Sequence, residues 1–167
     1  MNIRNSGVLK EKGFTLVELL VVIAIIGILA TLVLLQLGTA RAKARDTQRI
    51  TAVNQITSAV ELYYGDNGVY PTGITSALIG PTSPGKYLTN VPVDPATGVA
   101  YFYAYNPAVS PRNVQVWAEL ENRAAAMGSD ADINSTGWSG APIIGGAPNE
   151  ACTSAAPTDC VYDLGNQ

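Results

Sequence analysis

The hydrophobic pattern divides the chain into a continuous apolar run near its start and a patterned remainder. Residues 14–35 contain one charged side chain, that of Glu18. As a helix this run is about 33 Å long, enough to cross the hydrocarbon core of a bilayer. The pattern therefore predicts a transmembrane helix over 14–35. A carboxylate inside such a helix costs a few kcal/mol in lipid, so Glu18 indicates a functional position that needs a cationic partner.

Beyond the apolar run the pattern becomes amphipathic. Residues 14–64 lack proline and predict one continuous helix of about 75 Å. Gly65 and the turn-forming residues after it predict the end of this helix. The apolar positions in its second half recur every three or four residues and so form one stripe: Ile50, Val53, Ile56, Val60 and Tyr63.

The remaining patterned segments predict strands. Residues 99–105 and 114–120 alternate, and the connection 106–113 joins them as a hairpin. Residues 160–164 predict a third strand. A small antiparallel sheet packed on the helix stripe would bury both apolar faces, which predicts an α+β fold. The faces expected to pack are Tyr101, Tyr103 and Tyr105 in one strand and Val114, Val116, Ala118 and Leu120 in the other.

Two segments rich in Gly, Pro, Ser, Thr or Ala predict loops, 72–86 with room for a short helical turn and 124–150 with little regular structure. The second contains Asp130 and Asp132, close to several amide and carbonyl oxygens. Carboxylates at this spacing are candidate ligands of a hard cation such as calcium. A solvated acidic loop explains the same residues, and both interpretations remain open.

A charged collar lies between the apolar run and the amphipathic stripe. It consists of Arg41, Lys43, Arg45, Asp46 and Arg49. One interpretation is a solvated helix surface whose long side chains reach water. The other is contact with lipid headgroups, or with acidic faces of neighbouring subunits.

The junction before the apolar run has an unusual order. In a secretory signal the apolar core precedes the cleavage site, whereas here Lys12 and Gly13 come before it. The stretch 12–23, KGFTLVELLVVI, resembles the class III signal of type IV pilins and type II secretion pseudopilins. The stretch 63–71, YYGDNGVYP, also resembles the end of the long helix in these proteins.

The resemblance implies cleavage between Gly13 and Phe14, N-methylation of Phe14, and a role for Glu18 in guiding assembly. It implies a prepilin peptidase, an inner-membrane assembly platform with its ATPase, and other copies of the chain as partners. Many pilins carry a proline at the position of Leu35, so this chain lacks a residue that loosens their helix. The segment around Asp130 and Asp132 is similar to the calcium-binding loop of major pseudopilins.

Composition constrains the partners further. Without residues 1–13 the chain keeps seven basic and twelve acidic side chains, a net charge of −5. Such a surface has no broad basic face, so direct nucleic acid binding is not expected. Histidine is absent, and no nucleophile motif or phosphate-binding loop occurs, so an enzyme is not expected. The two cysteines of an exported chain, Cys152 and Cys160, predict a disulfide.

These observations predict a cleaved leader over 1–13, a transmembrane and assembly helix over 14–35, and a pilin-like globular domain over 36–167. The interpretation is a structural subunit of a type IV pilus-like filament, first held in the inner membrane and then assembled outside it. A type II secretion major pseudopilin is the alternative within the family. An uncleaved, signal-anchored surface binding module is the alternative of another class.

Overall fold

The computed structural model describes residues 13–79, 86–143, 152 and 160–167, so most of the predicted leader lies outside it. Helix α1 runs from Leu16 to Asn67 and continues through Leu35. The chain divides into two compact units, one ending at Thr39 and the other comprising Ala40–Gln167. The predicted long helix is confirmed.

The end of α1 differs from the prediction by one turn. Gly65 remains helical, and the helix ends where Gly68 adopts a left-handed conformation with φ of 72°. The Gly68 N–H donates to the Tyr64 carbonyl at 2.7 Å, which satisfies one of the last helical carbonyls. Either glycine can end a helix, and the sequence alone favoured the first.

The amphipathic stripe of α1 forms one side of the core. Val53, Ile56 and Val60 are fully buried, while Ile50 and Tyr63 are half-buried against the same cluster. Two small residues complete the buried face, Ala52 and Ala59. Their size brings the helix close to the elements that pack on it.

Four strands form one antiparallel sheet in the order β3-β1-β2-β4. Strand β1 (Phe102–Asn106) and strand β2 (Asn113–Glu119) form the predicted hairpin. Strand β4 (Val161–Asn166) pairs with β2 over six residues, from Glu119↔Val161 to Val114↔Asn166. The predicted third strand is therefore confirmed, and it lies at an edge of the sheet.

The face of the sheet that packs on the helix stripe is the predicted one. Its buried side chains are Tyr103, Val114, Val116 and Ala118, and they are joined by Tyr101 just before β1 and Leu120 just after β2. Tyr105 is half-buried against the same cluster. The Tyr103 hydroxyl donates to the Pro71 carbonyl at 2.7 Å, so this buried phenol has its partner. The tyrosines therefore act as core residues.

The two segments predicted as loops contain short regular elements. Helix α2 (Thr75–Ile79) is the helical turn expected within 72–86. The segment 124–150 contains a 3₁₀ helix (Ala125–Ser129) and strand β3 (Ser139–Gly140). It therefore has more regular structure than its composition predicted. This segment adds a strand to the sheet, because β3 pairs with β1.

The same segment covers the other face of the sheet. Gln115 and Trp117 point away from the helix stripe, yet their exposed fractions are 0% and 6%. Trp117 stacks on Phe102 with ring centroids 3.9 Å apart, and its indole N–H donates to the Ala141 carbonyl at 2.9 Å. Both faces of β2 are therefore buried.

The predicted disulfide is present, with the sulfur atoms of Cys152 and Cys160 2.02 Å apart. The Leu120 N–H donates to the Cys160 carbonyl at 2.7 Å, directly after β2. The disulfide thus links Cys152 to the residue directly before β4.

Candidate functional site

The start of α1 carries a hydrogen-bonded cap formed by Thr15 and Glu18. The Glu18 N–H donates to the Thr15 hydroxyl oxygen at 3.2 Å. In return, the Thr15 N–H and hydroxyl both donate to Glu18 Oε2, at 2.9 and 2.8 Å. This reciprocal pattern is a capping box, which satisfies backbone donors that no helical carbonyl can reach.

The capping box gives Glu18 a role that the sequence analysis missed. The sequence contains the pattern that predicts this cap, because Thr-x-x-Glu before an apolar run is typical of a capping box. Both donors from Thr15 reach the same carboxylate oxygen. The other carboxylate oxygen, Oε1, accepts no hydrogen bond from the described residues.

The predicted processing site lies just before this cap. Gly13, Phe14 and Thr15 precede the first helical residue, Leu16, and the Phe14 side chain is 84% exposed. The scissile bond inferred from the resemblance is therefore outside the helix.

The apolar part of α1, from Leu16 to Leu37, packs against no other described element of its own unit. From Leu16 to Leu37 its large apolar side chains are 40–79% exposed on every side of the helix. The helix includes an 18-residue window of mean hydropathy 2.9, long and apolar enough to cross a membrane by length and composition. Such a surface requires lipid or other protein around it.

The collar contains a buried ion-pair network in its second half. Arg49 is 6% exposed, and its Nη1 atom lies 3.0 Å from both Asp46 Oδ1 and Glu121 Oε1. Its Nε atom lies 2.5 Å from Asp94 Oδ2. Arg45 pairs with Glu121 through two nitrogen atoms. These three collar residues thus bind within their own domain. Asp46 and Arg49 are buried, so neither predicted role applies to them, whereas Arg45 remains partly exposed.

Asp46 holds the turn after β2. Its carboxylate accepts the N–H groups of Glu121 and Asn122 at 2.8 and 3.0 Å, as well as the Asn122 side-chain amide at 3.0 Å. It is 4% exposed, so a lost partner would leave a buried charge. The other two collar residues, Arg41 and Lys43, are exposed and keep both predicted roles open.

Replacing Arg49 with methionine is expected to reduce the free energy of unfolding by about 3–5 kcal/mol, because Asp46 would become a buried, uncompensated charge. Arg45→Met is the matched control, since the Arg45 side chain is 33% exposed and its pair with Glu121 should contribute about 0–1 kcal/mol. Denaturant unfolding of the full chain in detergent measures both. Equal losses in the two variants would contradict the structural role of the buried network.

The ion-pair network also predicts how the stability difference between the wild type and Arg49→Met changes in acid. Burial would raise the pKa of Asp94, but hydrogen bonds from Arg49 and from the Thr97 and Ala96 amides hold it well below its ordinary value. A hydrogen bond from Arg45 similarly lowers the pKa of Glu121. A lowered folded-state pKa stabilises the fold at neutral pH, and this contribution is lost as the pH falls below about 4. Arg49→Met should show a shallower loss of stability in that range.

A second cluster joins the predicted metal ligands to a residue that the sequence analysis missed. Asp130 is half-buried and Asp132 is exposed, and both follow the 3₁₀ helix. Asp163, on β4, is 1% exposed. One carboxylate oxygen of each residue lies within 4.8 Å of the others. Three carboxylates form a hard oxygen donor set, which fits calcium.

Neutral amide groups position the Asp163 carboxylate. It accepts the N–H groups of Asp132 and Ile133 at 3.2 and 2.9 Å, and the Gln115 side-chain amide at 2.8 Å. Burial raises the pKa of Asp163, although the amide hydrogen bonds partly oppose this shift. A carboxylate inside a strand between apolar residues was the one available signal, because such a group needs partners when buried.

Comparison with known proteins connects both regions to one family. The motif described as the prokaryotic N-terminal methylation motif matches residues 9–34. The family described as type II secretion system protein G matches residues 34–136. The type IV major pilin protein PilE1 of Neisseria gonorrhoeae is 30% identical over 90% of this chain and 92% of its own length. The chain belongs to the type IV pilin and type II secretion pseudopilin family.

Other relatives match part of this pilin-like chain. The type II secretion system core protein G of Vibrio cholerae is 36% identical over 52% of the chain and 66% of its own length. The fimbrial protein EcpC of Eikenella corrodens is 41% identical over 52% of the chain and 56% of its own length. None of these names describes an enzyme. A comparison with solved structures finds no significant match.

Proposed function

We propose that this pilin-like chain is the structural subunit of a type IV pilus-like filament. The observation that carries the proposal is the apolar half of α1, whose large side chains are exposed all around the helix. As a precursor the helix would span the inner membrane once. In a filament the same surface would pack against the helices of other subunits.

Exchange of lipid for protein supplies little net hydrophobic free energy, because both surroundings are apolar. Extraction from the membrane therefore requires an external source of work. We assign this work to an assembly platform and its ATPase. A prepilin peptidase would cut between Gly13 and Phe14, and methylation of the Phe14 amine would follow.

Glu18 would fix the register between subunits. The Thr15 cap uses one oxygen of its carboxylate. The Phe14 amine of a neighbouring, staggered subunit is the cation proposed to meet the remaining lone pairs. Pairing would neutralise two charges that the filament interior would otherwise bury separately.

The alternative is a secretion pseudopilin, and one observation favours it. The match to secretion protein G covers residues 34–136 and includes Asp130 and Asp132. We propose that these carboxylates bind calcium. The match to the pilin PilE1 over most of the chain supports the pilus subunit. The two assignments predict different locations for the filament, outside the cell for a pilus and within the envelope for a pseudopilus.

The proposal predicts the mass and location of the mature protein. Surface filaments sheared from native cells should contain a chain that starts at N-methylated Phe14, measured by intact mass and N-terminal sequencing. The same processed chain confined to the envelope would assign the pseudopilin instead. A chain that retains residues 1–13 in every fraction would contradict processing, and with it the proposed role of Glu18.

A further inference from the structure

A cavity of about 260 Å³ opens where strands β1 and β2 separate. The last residue pair between these strands is Phe102↔Trp117, and the cavity lies beyond it, between the segments 94–102 and 118–121 and Arg49 of α1. Drug-sized ligands occupy pockets of about 300–1,000 Å³, so this cavity suits a smaller molecule. We propose that it binds one neutral sugar ring.

Tyr101 supplies a polar group that the fold leaves unused. Its side chain lines the cavity and is 7% exposed, and its hydroxyl forms no hydrogen bond with the described residues. Burial raises the pKa of Tyr101, the charge of Asp94 raises it further, and the charge of Arg49 opposes the shift. The hydroxyl therefore lies near two charged residues that also line the cavity. A ligand hydroxyl would supply the hydrogen bond that this buried group lacks.

The ion-pair network leaves further hydrogen-bonding capacity at the same place. Arg49 donates from Nε to Asp94 and from Nη1 to Asp46 and Glu121, whereas its Nη2 atom donates to none of the described residues. Glu121 accepts two hydrogen bonds from Arg45 and one from Arg49, and a carboxylate has about four acceptor sites. The wall of the cavity therefore offers both donors and an acceptor.

The charge of the lining favours a neutral ligand. Arg49 is positive, while Asp94, Glu119 and Glu121 are negative, so an anion would be repelled. A cation would meet the buried guanidinium of Arg49 as a like charge. A hydroxyl group is neutral, and it donates to a carboxylate while it accepts from a guanidinium or a phenol. A sugar carries several such groups on one small ring.

The apolar part of the lining fits the C–H groups of a sugar ring. Ala118 and Leu120 are buried and so lie at the inner end of the cavity. Val99 and Phe102 are exposed and so lie at its opening. Mostly apolar walls with a few placed polar groups are typical of small-molecule sites.

Saturation-transfer NMR of the full chain tests the proposal, in a detergent without a sugar headgroup. The probes are the methyl β-glycosides of galactose, glucose and N-acetylglucosamine, and at least one should receive saturation from the protein. Tyr101→Phe should weaken its binding at least fivefold. Tyr105→Phe is the matched control, since Tyr105 is half-buried on β1 and does not line the cavity, and it should bind like the wild type.

Two further measurements separate binding from folding. Tyr101→Phe should unfold at the same denaturant concentration as the wild type, because the lost hydroxyl has no partner among the described residues. Val99→Trp places a larger ring at the opening and should abolish binding, and its exposed position makes the substitution compatible with folding. Lower stability of Tyr101→Phe with unchanged affinity in the folded variant would contradict the role in binding.

Disaccharides identify the source of the sugar. Lactose, cellobiose and chitobiose end in the same three sugars as the methyl glycosides. Comparable binding of one of these pairs would assign the end of a glycan chain as the ligand, and binding of the methyl glycoside alone would assign a free sugar. No saturation transfer to any probe, or wild-type affinity in either Tyr101→Phe or Val99→Trp, would overturn the inference. The cavity lies within the Ala40–Gln167 unit and is tested in the unassembled subunit, so the filament assignment stands or falls separately.

Discussion

Gly165→Ala is expected to prevent β4 from completing the sheet. Gly165 pairs with Gln115 and has a φ of 155°, a region that residues with a side chain rarely occupy. A Cβ atom there would lie 2.0 Å from the Val114 carbonyl oxygen. Since that contact is with backbone, the strand must move. Backbone strain and overpacking each cost about 1–3 kcal/mol, so a loss of roughly 2–6 kcal/mol is expected.

Gly98→Ala is the matched control for this prediction. Gly98 also has a positive φ, 71°, but a Cβ atom there meets nothing within 4 Å. Its cost should be the left-handed strain alone, about 1–2 kcal/mol. Near-UV circular dichroism and denaturant unfolding of the full chains compare the variants. If Gly165→Ala unfolds at the same denaturant concentration as Gly98→Ala, the close approach of β2 and β4 is not what requires glycine.

Glu18→Ala is expected to leave a stable membrane protein and abolish filaments. The substitution removes the carboxylate proposed to pair with the Phe14 amine of a neighbour. It also removes one half of the capping box with Thr15, at a cost of about 0.5–2 kcal/mol to the first helical turn. Electron microscopy of sheared fractions, with immunoblots of the membranes, measures assembly and accumulation separately.

Glu18→Gln distinguishes charge from capping. Glutamine supports a capping box as glutamate does, so this variant keeps the hydrogen bonds to Thr15 and loses the negative charge. If charge pairing fixes the subunit register, it should fail to form filaments, as alanine does. Normal filaments from Glu18→Gln would show that the cap is sufficient and that no charge pair is required.

The sequence was informative where periodicity decides the structure. The helix stripe from Ile50 to Tyr63 and the alternation in β1 and β2 predicted the core, because each burial face follows from a local period. The sequence was less informative where tertiary contacts decide. Gln115 lies on the face of β2 opposite the predicted core, and nothing local indicates that the segment after the 3₁₀ helix will cover it.

The same limit explains the residues that the sequence analysis missed or misassigned. Arg49 and Asp46 read as part of a helical collar, since their partners Asp94 and Glu121 lie 45 and 75 residues away from them, respectively. Asp163 lies 31 residues beyond Asp132, and only the packing of the segment after the 3₁₀ helix against β4 brings the two together. The capping box is different, because both of its residues lie within one helical turn and the pattern was available.

The pairing of β2 with β4 has a consequence for biogenesis. Every residue pair between these strands joins positions more than forty residues apart, from Glu119↔Val161 outward. At ribosomal rates of 5–20 residues per second, β2 is synthesised roughly two seconds or more before its partner. During that interval the hairpin presents an open edge that can pair with other chains. A newly made chain therefore passes through a stage in which the exposed edge of β2 favours aggregation, and this stage ends only when β4 has been synthesised and paired.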